Sequence, residues 1–363
     1  ISIRDGGRNP RIQTFSYDAA NRLIRSEGDI PQEYSSSAPL SYRTQLNYSP
    51  AGKLLSKHVD SRRLSTTRGL FPVFYDNSYL YNDPNNPYAV TRIHDSYGAN
   101  YDFTWDANGN LEHSYAHATH TKRYLCWTED NRLQAFMENG DDGGIAAYYN
   151  YAADGERNLK LTSPRINIQQ NAALLNNPSL IYPTLYASPL ITLTKHGYTK
   201  HYFEEGHRIC SKIGGGFRNV RIEEVDEHVP ELKFDYGEQH HRQKDGVGQT
   251  FNACLRVDPQ IDRGVDLYKM LVVQEYIRDE QEPAFYYHSD HLGSAAYLTN
   301  NGQVTQTLNY LPYGEDWVDI QHYMGARYSN MELYTFTGKE KDSESGYHYF
   351  GARYYDCEAL TGW

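Results

Sequence analysis

A short unit recurs along this chain, and it dictates hairpins. The copies run over Phe15 to Leu23, Leu46 to Leu54, Phe103 to Leu111, Leu125 to Leu133 and Tyr149 to Arg157, with a degenerate sixth at Tyr202 to Ile209. The first five each open on a short strand that carries an aromatic residue suited to a pleated sheet (Tyr17, Tyr48, Trp105, Trp127, Tyr151). Turn chemistry follows. Asp18, Asp106 and Asp154 can accept backbone N–H groups, and Asn21, Gly52, Gly109, Asn131 and Gly155 tolerate positive φ. A residue pair that often ends in Leu then starts the next strand. The spacing is uneven, so the wider intervals hold insertions. Such a chain reads as all-β, built from antiparallel hairpins.

The end of the chain departs from the alternation expected of a sheet covered on one side. Tyr347 to Phe350 is aromatic or His at every position, which places rings on both faces of a strand. Asp342, Ser343, Ser345 and Gly346 before it are turn-forming. Gly351 and Ala352 interrupt the run, and Arg353 to Asp356 resumes it. Two further motifs lie upstream: His288-Ser-Asp290-His291-Leu-Gly293-Ser294, and Tyr310-Leu-Pro-Tyr313-Gly314-Glu315. Of the 363 residues, 34 are Tyr. Tyr joins a large apolar body to a hydroxyl that can stay wet, as a sheet facing water on both sides requires.

Phe336 to Asp356 resembles the signature of the Rhs-repeat-associated core, the end of the YD-repeat shell of Rhs and Tc-type toxins, and the two upstream motifs resemble that family's hairpins. The strong resemblance spans Ala284 to Trp363, and a weaker one covers much of residues 1–216, whose unit resembles the YD repeat. Cys357 stands where the family pattern has Pro, which leaves the last turn less rigid. The resemblance implies antiparallel hairpins wound as a spiral sheet into part of a hollow shell. It implies a bacterial, secreted or cell-surface protein that contains its own variable C-terminal toxin domain and meets a secretion apparatus. Relatives cut themselves after the shell with two aspartates assisted by an arginine, which falls on Arg353 here. The first aspartate would follow by roughly a dozen residues, beyond Trp363, and an aspartyl site needs both carboxylates. No self-cleavage, and no enzyme activity, is expected of the chain as given.

A second reading comes from the binding class. YD-repeat proteins also occur at cell surfaces, where Trp105 and Trp127 could stack on glycans. Nucleic acid is disfavoured by a formal charge of −11 with no basic patch. The longest apolar run, Met270 to Val273, is too short to span a bilayer. The chain starts at Ile1 without a signal segment and reads as a fragment of a longer protein.

The remaining candidates for chemistry read as structural. His288, Asp290 and His291 form a hairpin motif, and His113, His117 and His120 lie on a strand leaving a turn, where they would not converge on a metal. No metal or cofactor is expected. Cys126, Cys210, Cys254 and Cys357 lack metal-type spacing and read as buried or idle thiols, with a disulfide of open pairing if the protein is exported. Three regions follow: hairpins over 1–216, a partly helical insertion over 217–283, and the core end over 284–363. In the insertion, Gly264 to Asp279 has helical spacing and His240 to Lys244 reads as a solvated loop. Ala172 to Leu175 is a short helix-capable piece, and Gly214 to Gly216 reads as a linker.

Overall fold

The structure is a computed structural model that describes residues 2–4, 11–30, 40–140, 143–165, 178–194, 197–215, 236–261, 283–322, 334–359 and 361–362. The fold is all-β, as the hairpin unit requires. The described residues contain one α-helix, Tyr236–Leu255, and one short 3-10 turn at Phe336–Gly338. The chain divides into two compact units. The first comprises Ile1–Ala118, His288–Lys341 and Tyr355–Trp363, and the second Thr119–Tyr287 and Asp342–Tyr354. These units cut across the three regions drawn from the sequence.

In the first unit an antiparallel meander runs from Ile12–Tyr17 through Leu23–Ile30, Leu40–Tyr48, Leu54–Ser65, Gly69–Leu80, Arg92–Asp95 and Tyr101–Trp105 to Leu111–Ala116. Strands Ala295–Asn300, Gln303–Tyr310 and Asp316–Gln321 form a second meander. It joins the first through a parallel pairing of Val318 with Leu64 and Asp319 with Ser65, a departure from purely antiparallel hairpins. Ile30, Leu40, Tyr42, Val59, Leu311, Trp317 and Val318 form the core at this junction. The Tyr42 and Trp317 rings meet in a T-shaped arrangement, with centroids 4.7 Å apart and planes at 84°, an arrangement aromatic pairs favour.

In the second unit the meander runs from Thr121–Trp127 through Leu133–Gly140, Gly143–Tyr151, Arg157–Thr162, Tyr182–Ser188, Ile191–Thr194 and Gly197–Glu204 to His207–Gly215. The helix packs on one face of this sheet. Its Val247 and Phe251 join Ala135, Ala146, Tyr148, Leu159 and Leu161 in a buried cluster. The helix overturns the loop reading of His240 to Lys244, whose backbone is helical. The cysteine reading also changes, because Cys126 and Cys254 form a disulfide, whereas Cys210 and Cys357 are free and buried. Helix formation over Gly264 to Asp279 and over Ala172 to Leu175 falls outside the described residues. Gly214 and Gly215 lie in a strand rather than a linker, and the Tyr198 ring occupies the space a Cβ at Gly214 would need. None of the helices among the described residues is long and apolar enough to cross a membrane.

One turn recurs through both units. In each copy the first residue's N–H donates to the carbonyl of the fifth, and the fourth residue's N–H donates back to the carbonyl of the first. Among the described residues, eight such turns start at Asp18, Ser49, Asp106, Thr128, Ala152, Asp290, Leu311 and Thr335. The fourth position is always Asn or Gly at positive φ: Asn21, Gly52, Gly109, Asn131, Gly155, Gly293, Gly314 and Gly338. Where the first residue is Asp18, Asp106 or Asp290, its carboxylate also accepts N–H bonds from the third and fifth residues. The register slips next to Tyr17, Tyr48, Trp105, Trp127, Tyr151 and Tyr310, so a bulge precedes the turn and re-aims the ring. The two upstream motifs and Phe336-Thr-Gly are therefore copies of the same turn as the repeats. The last turn is firmer than Cys357 suggested, because Asp356 Oδ1 accepts the N–H groups of Glu358 and Ala359.

Candidate functional site

Three tyrosines dock on the end of an earlier repeat. Tyr48 OH donates to the Leu23 carbonyl at 3.1 Å, Tyr81 OH to Leu54 at 2.8 Å and Tyr151 OH to Leu133 at 2.7 Å. The cation preceding each of those Leu residues covers the same ring. Arg22 lies 4.9 Å from the Tyr48 centroid, Lys53 5.1 Å from Tyr81 and Arg132 5.4 Å from Tyr151. The Arg/Lys-Leu pair of one repeat thus holds the ring of a later strand from above and behind. Trp105 follows a variant rule, with its Nε1–H donating to the Val90 carbonyl at 2.7 Å. Trp105 and Trp127 are half-buried in this arrangement.

Each unit also encloses a charge cluster that anchors a C-terminal motif. In the first unit Glu315, the last residue of the Tyr-Gly-Glu turn, is 2% exposed. Its carboxylate meets Lys57 Nζ at 2.6 Å and Arg63 Nη2 at 3.1 Å, and accepts the Tyr75 hydroxyl at 2.7 Å. Burial alone would raise the Glu315 carboxyl. The Lys57 and Arg63 cations, with the Lys57 and Tyr75 hydrogen bonds, instead hold it below the ordinary value.

In the second unit Asp342 and Glu344 from the core motif are buried against strands Gly143–Tyr151 and Arg157–Thr162. Arg157 Nη1 donates to Asp342 Oδ2 at 2.6 Å, and Lys160 Nζ to Asp342 Oδ1 at 2.8 Å. Lys160 Nζ also lies 3.5 Å from Glu344 Oε2, and Tyr149 OH donates to Glu344 Oε1 at 2.7 Å. The Arg157 guanidinium lies 4.3 Å from the Tyr349 centroid and 4.9 Å from that of Tyr186. Burial favours the neutral form of both acids. For Asp342 the two cations outweigh burial and keep its value low, whereas Glu344 is driven up by burial and by the Asp342 charge beside it.

A lowered and a raised carboxyl side by side is the electrostatic form of an acid–base pair. Here both groups are sealed in, and the lowered one is occupied by two cations, so the arrangement fastens the motif to the sheet. These residues escaped sequence reasoning. Asp342 was legible as a turn former and Glu315 as a motif residue, but their cationic partners lie roughly 180 to 260 residues away in sequence.

The carboxylates set an acid limit on stability. Asp342 and Glu315 hold fewer protons in the folded than in the unfolded chain. Their stabilisation is complete above the ordinary values of 3.8 and 4.5 and is lost as pH falls through the lowered folded values. Glu344 acts in the opposite sense: its contribution is present below 4.5 and is lost as pH rises through its raised value. The melting temperature is expected to fall once pH drops below 4.5, and Glu344→Gln is expected to flatten the opposing slope above it. A melting temperature that stays constant from about pH 5 to about pH 2 would contradict this electrostatic picture.

The other sequence candidates do not converge. Arg353 is exposed and forms no ion pair among the described residues. His288 Nε2 lies 3.0 Å from Thr299 Oγ1, while Asp290 is committed to its turn. His117 pairs with Asp102 at 2.8 Å. No group of His, Cys, Asp or Glu suited to a metal ion occurs among the described residues.

Comparison with known proteins gives the following. No family model matches the chain, and no curated protein sequence matches it. Among solved structures the chain is similar to a TcdB2-TccC3 crystal structure, at 17% identity and TM-score 0.38, covering 98% of this chain and 17% of that one. It is similar to the Tc holotoxin pore of Photorhabdus luminescens at 16% identity and TM-score 0.38, covering 96% and 16%. A porin-like protein from Bacteroides uniformis aligns at 9% identity and TM-score 0.26, covering 81% and 92%. The chain thus spans about a sixth of the length of the two toxin-complex chains.

Proposed function

We propose that this chain is a length of wall from an Rhs or YD-repeat toxin shell, whose role is to contain a variable C-terminal toxin domain until delivery. The observation that carries this reading is the single turn repeated through the hairpin units and through all three C-terminal motifs. Linked hairpins of one geometry suit a wall extended repeat by repeat. The interlocking rings and buried ion clusters make that wall stiff, and they bury the groups that could otherwise do chemistry. Containment, not catalysis, is the function such a wall serves. The Cys126–Cys254 disulfide supports an exported protein. Arg353, exposed on the Gly-Ala-Arg motif, is the position through which a longer parent would complete a self-cleaving aspartyl site.

Limited proteolysis of the full-length parent tests the reading. The segment following the core motif is expected to resist added protease when attached, and to be digested rapidly when expressed alone. Equal digestion rates in the two forms would rule out containment.

A further inference from the structure

We propose that the Cys126–Cys254 disulfide is a redox latch: it holds the helix Tyr236–Leu255 on the sheet of the second unit, and a dithiol reductant releases the helix while the sheet stays folded. The inference does not depend on the shell reading.

Over its described side chains, Lys244 to Leu255, the helix has little of its own to keep it formed. Gly246 and Gly248 lie in its interior, and each costs about 1 kcal/mol relative to Ala. Neither glycine is there for lack of room, since a Cβ at either position would meet nothing within 4 Å. Among its described side chains, packing contributes one narrow stripe. Val247, Phe251 and the half-buried Leu255 recur every four residues and face Cys126, Ala135, Ala146, Tyr148, Leu159 and Leu161. The other described side chains from Lys244 to Ala253 are exposed or half-buried. The covalent bond supplements this docking at the last turn of the helix, closing a sequence separation of 128 residues. The sheet beneath has its own continuous antiparallel ladder from Thr121–Trp127 to Arg157–Thr162 and does not need the helix to stay paired.

The two cysteines differ in exposure. Cys254 is exposed, whereas Cys126 is 3% exposed within its strand. A thiolate of the reductant therefore attacks Cys254 Sγ. The bond to Cys126 breaks, and Cys126 leaves as a thiolate that takes up a proton. The reductant's second thiol, as its thiolate, then attacks the mixed disulfide and frees Cys254, which is protonated in turn. Two electrons pass to the cysteine pair, and the reductant leaves as its own disulfide. Cys210 and Cys357, both buried, take no part.

Hydrogen–deuterium exchange on the full chain, with and without dithiothreitol, tests the latch. Reduction is expected to raise amide exchange across Tyr236–Leu255 by at least about tenfold, as for an element released by local opening, with Leu133–Gly140 and Gly143–Tyr151 unchanged. Cys254→Ser is expected to show the fast-exchanging helix without reductant and to be insensitive to dithiothreitol. Unchanged helix protection on reduction overturns the proposal. So does loss of protection across the helix and both strands together, which would make the bond a staple for the whole unit. A response of Cys254→Ser to dithiothreitol matching the native chain would also overturn it.

Discussion

Asp342→Ala is expected to destabilise the second unit by about 3–5 kcal/mol, the usual cost of removing one partner from a buried ion cluster. The carboxylate is fully buried, and its removal leaves Arg157 and Lys160, with side chains 1% and 6% exposed, facing each other without their shared anion. Glu344 compensates only in part, because its Oε2 lies 3.5 Å from Lys160 Nζ, against 2.8 Å for Asp342 Oδ1. In urea the midpoint should fall with the slope unchanged, as for a loss of stability without a change in surface exposed. Glu344→Gln is the informative contrast. It keeps the shape and an acceptor for Tyr149, so its cost should stay within about 1 kcal/mol, that of one altered hydrogen bond. Equal effects from the two substitutions would contradict the division of charge described for this pair.

Glu315→Ala should cost a similar amount in the first unit, about 3–5 kcal/mol, by the same reasoning. Lys57 is wholly buried and Arg63 nearly so, and the Tyr75 hydroxyl loses its acceptor as well. The position is asymmetric, which gives a sharper test. One carboxylate serves two cations, so Lys57→Met leaves Glu315 paired with Arg63 and should cost less, about 1.5–3 kcal/mol, the range for a charge-assisted hydrogen bond. Combining Lys57→Met with Glu315→Leu removes the two most buried charges and leaves Arg63, 11% exposed, without its carboxylate, so it should recover part of the loss, because the desolvation imposed by Lys57 and Glu315 disappears with them. A double variant as unstable as the sum of the singles would show that the cluster does not act as a unit.

The local half of this architecture was legible in the sequence and the long-range half was not. Tyr17-Asp18 through Asn21, and the equivalent residues at Trp105 and Tyr151, announce a strand, a side-chain-capped turn and a positive-φ residue, and the structure builds hairpins at each. These features depend on neighbours in sequence, where propensity and turn chemistry act. The motif at Asp290 was readable as a hairpin for the same reason. Pairing across the fold is different. Nothing in the sequence near Arg22 indicates that its guanidinium will cover Tyr48, and nothing near Lys160 points to Asp342. The Cys126–Cys254 pairing was equally hidden, because spacing alone cannot choose among four cysteines. The helical backbone at His240 to Lys244 was missed because this polar run shows no apolar periodicity, although its Arg, Gln and Lys are good helix formers, and among the described side chains the apolar stripe that docks the helix begins at Val247.

The Gly214 case shows how packing overrides a local signal. A run of three glycines reads as a linker, yet Gly214 lies in a paired strand with the Tyr198 ring lying where its side chain would be. Gly28, in the first unit, stands in the same relation to Tyr42, paired with it and covered by its ring. Glycine inside a strand here marks a cross-strand ring, a use that becomes visible only once the register is known.

The most direct measurement of the central claim is an electron-microscopy reconstruction of the full-length parent. The shell reading predicts a continuous β wall enclosing a cavity, with this chain forming part of the wall and weaker density for the contained segment inside. A solid domain, or an open sheet with the C-terminal segment standing free in solvent, would contradict it.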